Sequence, residues 1–291
     1  MKVGIVGLGR TGSGVAARLR SRGVETLGYD RDPDRTQVGS LNELVDLLDE
    51  RPRVVWTLVP AGAATGAVVV ELADLLAPGD VIVEGGRSDF RDSIWRAAML
   101  ADRDINFVDI GLSGGVSGEA SGYCVMVGGS SEDVARLRPM LEAVAVEGGI
   151  GHLGPVGSGH FTQMVHSAIE DGLMQAYAEG YGLLAAADLD INVAAAVEVW
   201  RHGGVVRSWL LDLLAEALMD DPHLEQVQGY AKLVGIGGRA IREAVRLAVP
   251  VPALSAALQA RLASQPEVSP STRVVAVLQR QFRDEGVSGR A

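Results

Sequence analysis

The first thirty residues leave this chain little choice of fold. Lys2-Val3-Gly4-Ile5-Val6 is an apolar run of the kind that forms a buried parallel strand, and it opens onto Gly7-Leu8-Gly9-Arg10-Thr11-Gly12. Val15-Ala16-Ala17-Arg18-Leu19-Arg20 follows at helical spacing, and Thr26-Leu27-Gly28-Tyr29 reads as a second strand ending in Asp30. Each glycine has a mechanical reason. Gly7 permits the tight turn out of the strand, Gly9 lets a pyrophosphate approach the backbone, and Gly12 lets the helix pack closely on the strand. The helix N-terminus offers its free N–H groups to the phosphates. Strand, turn, helix, strand and acid together predict a dinucleotide site at Gly7, Leu8, Gly9, Arg10, Thr11, Gly12 and Asp30. Asp30 suits a ribose 2′-hydroxyl and favours NAD, while Arg31 beside it offers a cation to a 2′-phosphate and keeps NADP open.

Alternation continues past Asp30. Leu41–Leu48, Ala64–Leu76 and Ser88–Leu100 have helical patterns. Between and after them come apolar runs at Arg53–Val59, Asp80–Glu84, Asn106–Ile110 and Tyr123–Val127. Strands alternating with helices mean βαβ units and a doubly wound, mostly parallel sheet. The pattern changes in the glycine-rich stretch Gly149–Gly159, and no convincing strand lies beyond it. Gln163–Ala187 is one long helical pattern, followed by helices near Ile191–Trp200, Val206–Met219, Arg239–Leu247, Val251–Ser264 and Ser271–Arg283. The expected architecture is therefore α/β plus all-α: a Rossmann domain over residues 1–158 and a helical domain over 159–291.

Charge and cysteine usage narrow the function. A net charge of −11 argues against nucleic acid or an anionic membrane as a partner, because both need a basic face. The one cysteine, Cys124, allows no internal disulfide framework and is expected in the core. His160 and His202 have no metal-ligand spacing, so no metal is expected. No apolar run is long enough to cross a bilayer, and no signal peptide precedes the first strand, which points to a cytoplasmic protein. Lys2 and Lys232 are the only lysines.

Four short motifs occur in order: Gly7–Gly12, Val59-Pro60-Ala61-Gly62, Glu84-Gly85-Gly86-Arg87-Ser88 and Gly111-Leu112-Ser113-Gly114-Gly115. Gly157–Glu170 and Trp200–Leu211 follow them. In this order they resemble the short-chain form of 6-phosphogluconate dehydrogenase, within the larger β-hydroxyacid dehydrogenase group. The resemblance covers nearly the whole chain. It implies a nicotinamide cofactor held partly by Val59 and Pro60, a small-molecule substrate, and a homodimer with C-terminal segments crossing between subunits. In that family a lysine on the long helix is the general base, and a glutamate two turns later is the acid for the enol formed after decarboxylation.

Here Glu170 is present, but the lysine position is Gln163, and glutamine takes no proton at neutral pH. Ser167 stands where the family has asparagine, Ala168 where it has glycine, and Asp171 where a tyrosine contacts the substrate phosphate. A carboxylate at 171 would repel that phosphate. Arg87 replaces the asparagine of a Gly-Gly-Asn-Ser loop. The phosphate-clamping arginine and histidine of the family tail fall at Gln279 and Glu285, with Arg283-Asp284 in place of a Gly-Gly. Of the phosphate ligands only Arg207 survives. Each charge-assisted hydrogen bond is worth about 1.5–3 kcal/mol, so these losses oppose tight binding of 6-phosphogluconate.

The implied pocket uses Gln163, His166 and Glu170 for chemistry, and Ser113, Gly114, Gly115 and Ser167 around the substrate. Arg87 and Arg207 would receive an anionic group. Three functions fit: an NAD(P)-dependent oxidoreductase moved to a different polar, anionic substrate; an imine reductase, which needs hydride and a proton donor but no lysine base; and a catalytically inactive dinucleotide-binding protein. Dimerisation is expected through the helical domain, because Leu210, Leu211, Leu213, Leu214, Ala215 and Leu218, with Leu173, Met174 and Tyr177, exceed what one small helical domain would cover.

Overall fold

The computed structural model describes residues 2–115, 118–225, 235–263 and 270–283, so Lys232, Asp284, Glu285 and the tail beyond them lie outside the described residues. The chain forms two compact units, Met1–Gln163 and Met164–Ala291.

The first unit runs β1 (Lys2–Val6), α1 (Arg10–Ser21), β2 (Glu25–Tyr29), α2 (Leu41–Asp46), β3 (Val54–Thr57), α3 (Ala63–Leu75) and β4 (Val81–Glu84). It continues with α4 (Phe90–Ala101), β5 (Asn106–Ser113), α5 (Gly118–Ser121), β6 (Tyr123–Gly128), α6 (Ser131–Val144) and β7 (Ala145–Gly154). The strands form one sheet in the order β2-β1-β3-β4-β5-β6-β7, parallel at every pairing except β5 with β6. From β1 the chain goes first to one side and then to the other. That reversal makes the carboxyl ends of β1 and β3 the switch point at which such sheets bind ligands.

The inner strands β1, β3, β4 and β5 are mostly apolar because both faces are covered. Val3, Ile5, Trp56, Val81, Val83, Val108 and Ile110 pack with α1 and α6. Val6, Val55, Ile82 and Phe107 pack with α2 and α3. Side-chain caps start several helices: Ser40, Asp89 and Ser130 each accept a hydrogen bond from a backbone N–H of the first turn. Arg18 of α1 is buried and donates to the carbonyls of Glu119, Ala120, Ser121, Val144 and Ala145, fastening the ends of α5 and α6 to α1.

Two elements escape the sequence pattern. α6 carries Pro139 inside it and mixes charges with apolar residues, while β7 is an edge strand with Gly148, Gly149, Gly151 and Gly154 that reads as loop. Strand structure therefore persists to Gly154, inside the stretch where the pattern predicts its end. Cys124 is another correction: it is exposed, not core, on the face of β6 opposite Tyr123 and Val125.

α7 (Ser158–Ala185) begins in the first unit and continues into the second. The second unit adds α8 (Val193–Gly203), α9 (Trp209–Asp220), α10 (Gly235–Arg246), α11 (Pro252–Ala263) and α12 (Pro270–Arg283), and no strand occurs there among the described residues. α9 starts three residues later than its apolar pattern suggests, because Ser208 is extended and caps the Leu211 N–H. Leu210, Leu211, Leu213, Leu214, Ala215 and Leu218 are buried against Met174, Ala178, Val197, Val274 and Leu278. Those leucines are covered by their own unit and give no reason for a dimer.

Candidate active site

The loop after β1 has the geometry its glycines require. Gly7 sits at φ +93°, and a Cβ there would lie 2.8 Å from the Leu58 carbonyl. A Cβ on Gly12 would lie 1.8 Å from the carbonyl of Gly7, so α1 can meet the strand only without a side chain. Gly9 is different: a Cβ there meets nothing within 4 Å. It caps α1 with no side-chain bond, so no side chain stands over the N-terminus of the helix at this position.

Asp30 reaches back across this turn. Its Oδ2 accepts from the Leu8 N–H at 2.5 Å and its Oδ1 from the Asp32 N–H at 2.9 Å. A cavity of about 400 Å³ lies alongside, lined by Leu8, Gly9, Arg10, Ser13, Ala16, Arg20, Arg35 and Gln37. Three guanidinium groups around it favour a polyphosphate ligand. Arg10, Thr11 and Arg31 are exposed at this edge, and Pro60 is exposed after β3. The turn at Val59 is fixed by Gly86, where a Cβ would lie 2.5 Å from the Val59 carbonyl. Open space at Gly9, the N-terminus of α1 and a carboxylate at the end of β2 fit a dinucleotide.

Beneath the loop that follows β4 lies a charged cluster. Glu84 is fully buried and pairs with Arg96 of α4 at 2.7 Å. Burial pushes its carboxyl up, and bonds from Ser88, Arg96 and Ser93 pull it back. Ser93 Oγ bonds His160 Nδ1 at 2.8 Å. Asp109 of β5 lies beyond, its Oδ1 accepting from the Gly157 N–H at 2.6 Å and its Oδ2 from the His160 N–H at 2.7 Å. Those two N–H groups belong to the start of α7, so a buried carboxylate seats that helix. Burial pushes Asp109 to about 6, with the nearby Glu84 adding to the rise.

Glycines complete the seat. A Cβ on Gly111 would lie 2.6 Å from Gln163 Cβ, one on Gly159 2.5 Å from the Asp109 carbonyl, and one on Gly128 within van der Waals overlap of the Asp109 carboxylate. Gln163 is buried and its Nε2 donates to the Leu112 carbonyl at 2.8 Å, fastening α7 to β5 a second time. Just beyond, Gly114 and Gly115 have φ of +142° and +54°, backbone that favours glycine next to Ser113. Arg87 is exposed at φ +53°.

In the second unit, His166 Nδ1 lies 3.0 Å from Glu170 Oε1, one turn apart on α7. His166 thus partners Glu170. The His166 side chain is 44% exposed and that of Glu170 10%, so a buried carboxyl has a partner that reaches solvent. Ser167 is buried on the same helix. Arg207 is exposed just before α9, and Gln279 is buried in α12. Asp171 is not the bare carboxylate its sequence position suggests: Arg261 of α11 pairs with it at 2.7 Å, and both are buried.

Ser93, Arg96, Asp109 and Arg261 lie outside the sequence motifs, and Glu84 and His160 lie within motifs that give them no role in the pocket. The signal for Glu84 and Asp109 was an acid inside an otherwise apolar strand, which must find a partner when the strand is buried.

Residues 2–154 match the family profile described as the NAD binding domain of 6-phosphogluconate dehydrogenase, and residues 159–281 match the 6-phosphogluconate dehydrogenase C-terminal domain. The chain is 36% identical to an NAD(+)-dependent, decarboxylating 6-phosphogluconate dehydrogenase of Haloferax volcanii, over 97% of both chains. Plasmodium falciparum 6-phosphogluconate dehydrogenase, with solved structures in complex with NADP+ and with 6-phosphogluconate, superposes with a TM-score of 0.84 at 26% identity. That match covers 91% of this chain and 62% of that one. A 3-hydroxyisobutyrate dehydrogenase from Salmonella typhimurium gives a TM-score of 0.77 at 25% identity, over 96% and 99% of the two chains.

Proposed function

This chain belongs to the 6-phosphogluconate dehydrogenase family of NAD(P)-dependent oxidoreductases, and from that premise we propose that it acts on a polar, anionic small molecule other than 6-phosphogluconate. One observation carries the reading: a complete dinucleotide loop accompanies Gln163, held by the Leu112 carbonyl, where the family has a lysine base. NAD(P), when bound, exchanges a hydride with the substrate carbon. Glu170 moves the proton, and half-exposed His166 restores it from solvent. The family resemblance assigns substrate contacts to Ser113, Gly114, Gly115 and Ser167, and contacts with an anionic group to Arg87 and Arg207.

Unchanged protein should reduce NAD negligibly with 6-phosphogluconate, and Gln163→Lys alone should stay near background. General acid–base catalysis contributes about 10²–10⁴-fold, so a pocket still suited to sugar phosphates would show a strong rescue. Efficient turnover by the unchanged protein would sink the substrate argument. The Glu170–His166 pair equally suits an imine reductase; oxidation of amines in preference to alcohols would favour that reading. No turnover with either class would leave a dinucleotide-binding protein.

The proposed cofactor is NAD, on the strength of Asp30 and of the NAD(+)-dependent relative. Calorimetry should give tighter binding of NADH than of NADPH, and Asp30→Ala should weaken NADH more. NADPH at least tenfold tighter would assign the nucleotide to Arg31 instead.

A homodimer remains part of the proposal, on a different surface from the α9 leucines. Val165, Ile169 and Leu173 form an exposed apolar stripe at four-residue spacing along α7. Light scattering at micromolar concentration should report twice the 30.5 kDa chain mass, and a monomer would remove the idea.

A further inference from the structure

We propose that Asp171 is an internal anion that occupies Arg261, closing this part of the helical unit to a phosphate or other external dianion and so restricting the substrate to molecules without a phosphate at that end. The restriction on substrate rests on the dehydrogenase reading above; the occupancy of Arg261 does not.

The geometry is that of a filled receptor. Arg261 Nη1 meets the Asp171 carboxylate at 2.7 Å, while Nη2 donates to the Asp171 carbonyl at 3.3 Å. Asp171 thus engages both terminal nitrogens of the guanidinium, one through its charged carboxylate and the other through its own carbonyl. The pair is buried, so its attraction is weakly screened. Space around it is used up. A Cβ on Gly237 would lie 2.9 Å from Asp171 Oδ2, and the cavity lined by Ala168, Asp171, Gly237, Leu254, Leu258 and Arg261 is about 10 Å³. That is room for about one water. A phosphate could bind there only by displacing the Asp171 carboxylate, and repulsion between the two anions opposes this. Asp171 directly follows Glu170 on α7, so the filled receptor adjoins the proposed proton donor.

Asp171→Ala removes the competing anion and opens the space it fills. Inorganic phosphate, titrated calorimetrically into the full chain without cofactor, should bind the variant at least tenfold more tightly than the unchanged protein. The double variant Asp171→Ala/Arg261→Met should lose the gain. Should Asp171→Ala fail to fold, near-isosteric Asp171→Asn is read by the rise in its melting temperature with phosphate. Equal phosphate binding by the unchanged protein and a folded variant, or a gain that survives Arg261→Met, would overturn the proposal. Because no turnover is measured, a wrong dehydrogenase assignment leaves this result untouched.

Discussion

Gly9→Val is expected to abolish dinucleotide binding, weakening it by about a hundredfold or more, with almost no change in melting temperature. A hundredfold corresponds to roughly 2.7 kcal/mol, a modest charge for filling the volume a pyrophosphate needs with a branched side chain. The fold should not notice. Gly9 has φ −64° and ψ −175°, which any residue adopts, and its Cβ would project into open space. Gly12, three residues on, is the contrast: its Cβ would fall 1.8 Å from the Gly7 carbonyl, so even alanine there forces α1 off the sheet. Fluorescence titration with NADH and a thermal melt of the same variant read the two effects separately. Binding within tenfold of the unchanged protein would mean that the cofactor lies elsewhere.

Arg96→Met should cost on the order of 3–5 kcal/mol, because it leaves a buried carboxylate without its cation. Glu84 and Asp109 are both fully buried, and Arg96 meets Glu84 at 2.7 Å. Denaturant unfolding measures the loss; a change under about 1 kcal/mol would show that the cluster is protonated throughout and needs no cation. Asp109 adds a pH dependence of known sign. Its pKa rises on folding from 3.8 to about 6, so the folded state holds the extra proton between those values. The group therefore favours the fold most below about pH 4, and that contribution is lost as pH rises through about 6. Asp109→Asn has no such titration, yet its amide opposes one of the two N–H groups the carboxylate receives. It should be destabilising, and less so at pH 7.5 than at pH 4.5. A cost that grows with pH would reverse the assignment.

The dinucleotide half of the site was legible because glycines declare backbone demands. Gly7, Gly9 and Gly12 stand in the sequence where no other residue satisfies the turn, and Asp30 ends a strand visible as an apolar run. The sheet was legible up to Val127 for the same reason. Beyond it, α6 hid behind Pro139, and β7 hid because an edge strand needs few side chains to bury. Charged pairing was not legible. Asp171 and Arg261 are far apart in the chain, and only the fold makes them neighbours, so an acid that read as phosphate repulsion is already matched. Asp109 looked like one polar residue in Asn106–Ile110; its two N–H donors come from the first turn of α7 and the residue just before it.

Where β5 and β6 receive the first turn of α7, main chain touches main chain at Gly111, Gly128 and Gly159. Every substitution at these sites adds an atom to a space that has none, so neutral drift has no route through them. A lineage that keeps this fold inherits the root of α7 as a fixed point. Along this helix its chemistry can diverge farther out, at positions such as His166, Glu170 and Asp171, where side chains meet side chains and exchange is geometrically cheap. New substrates can then arise without rebuilding the frame that holds the nucleotide.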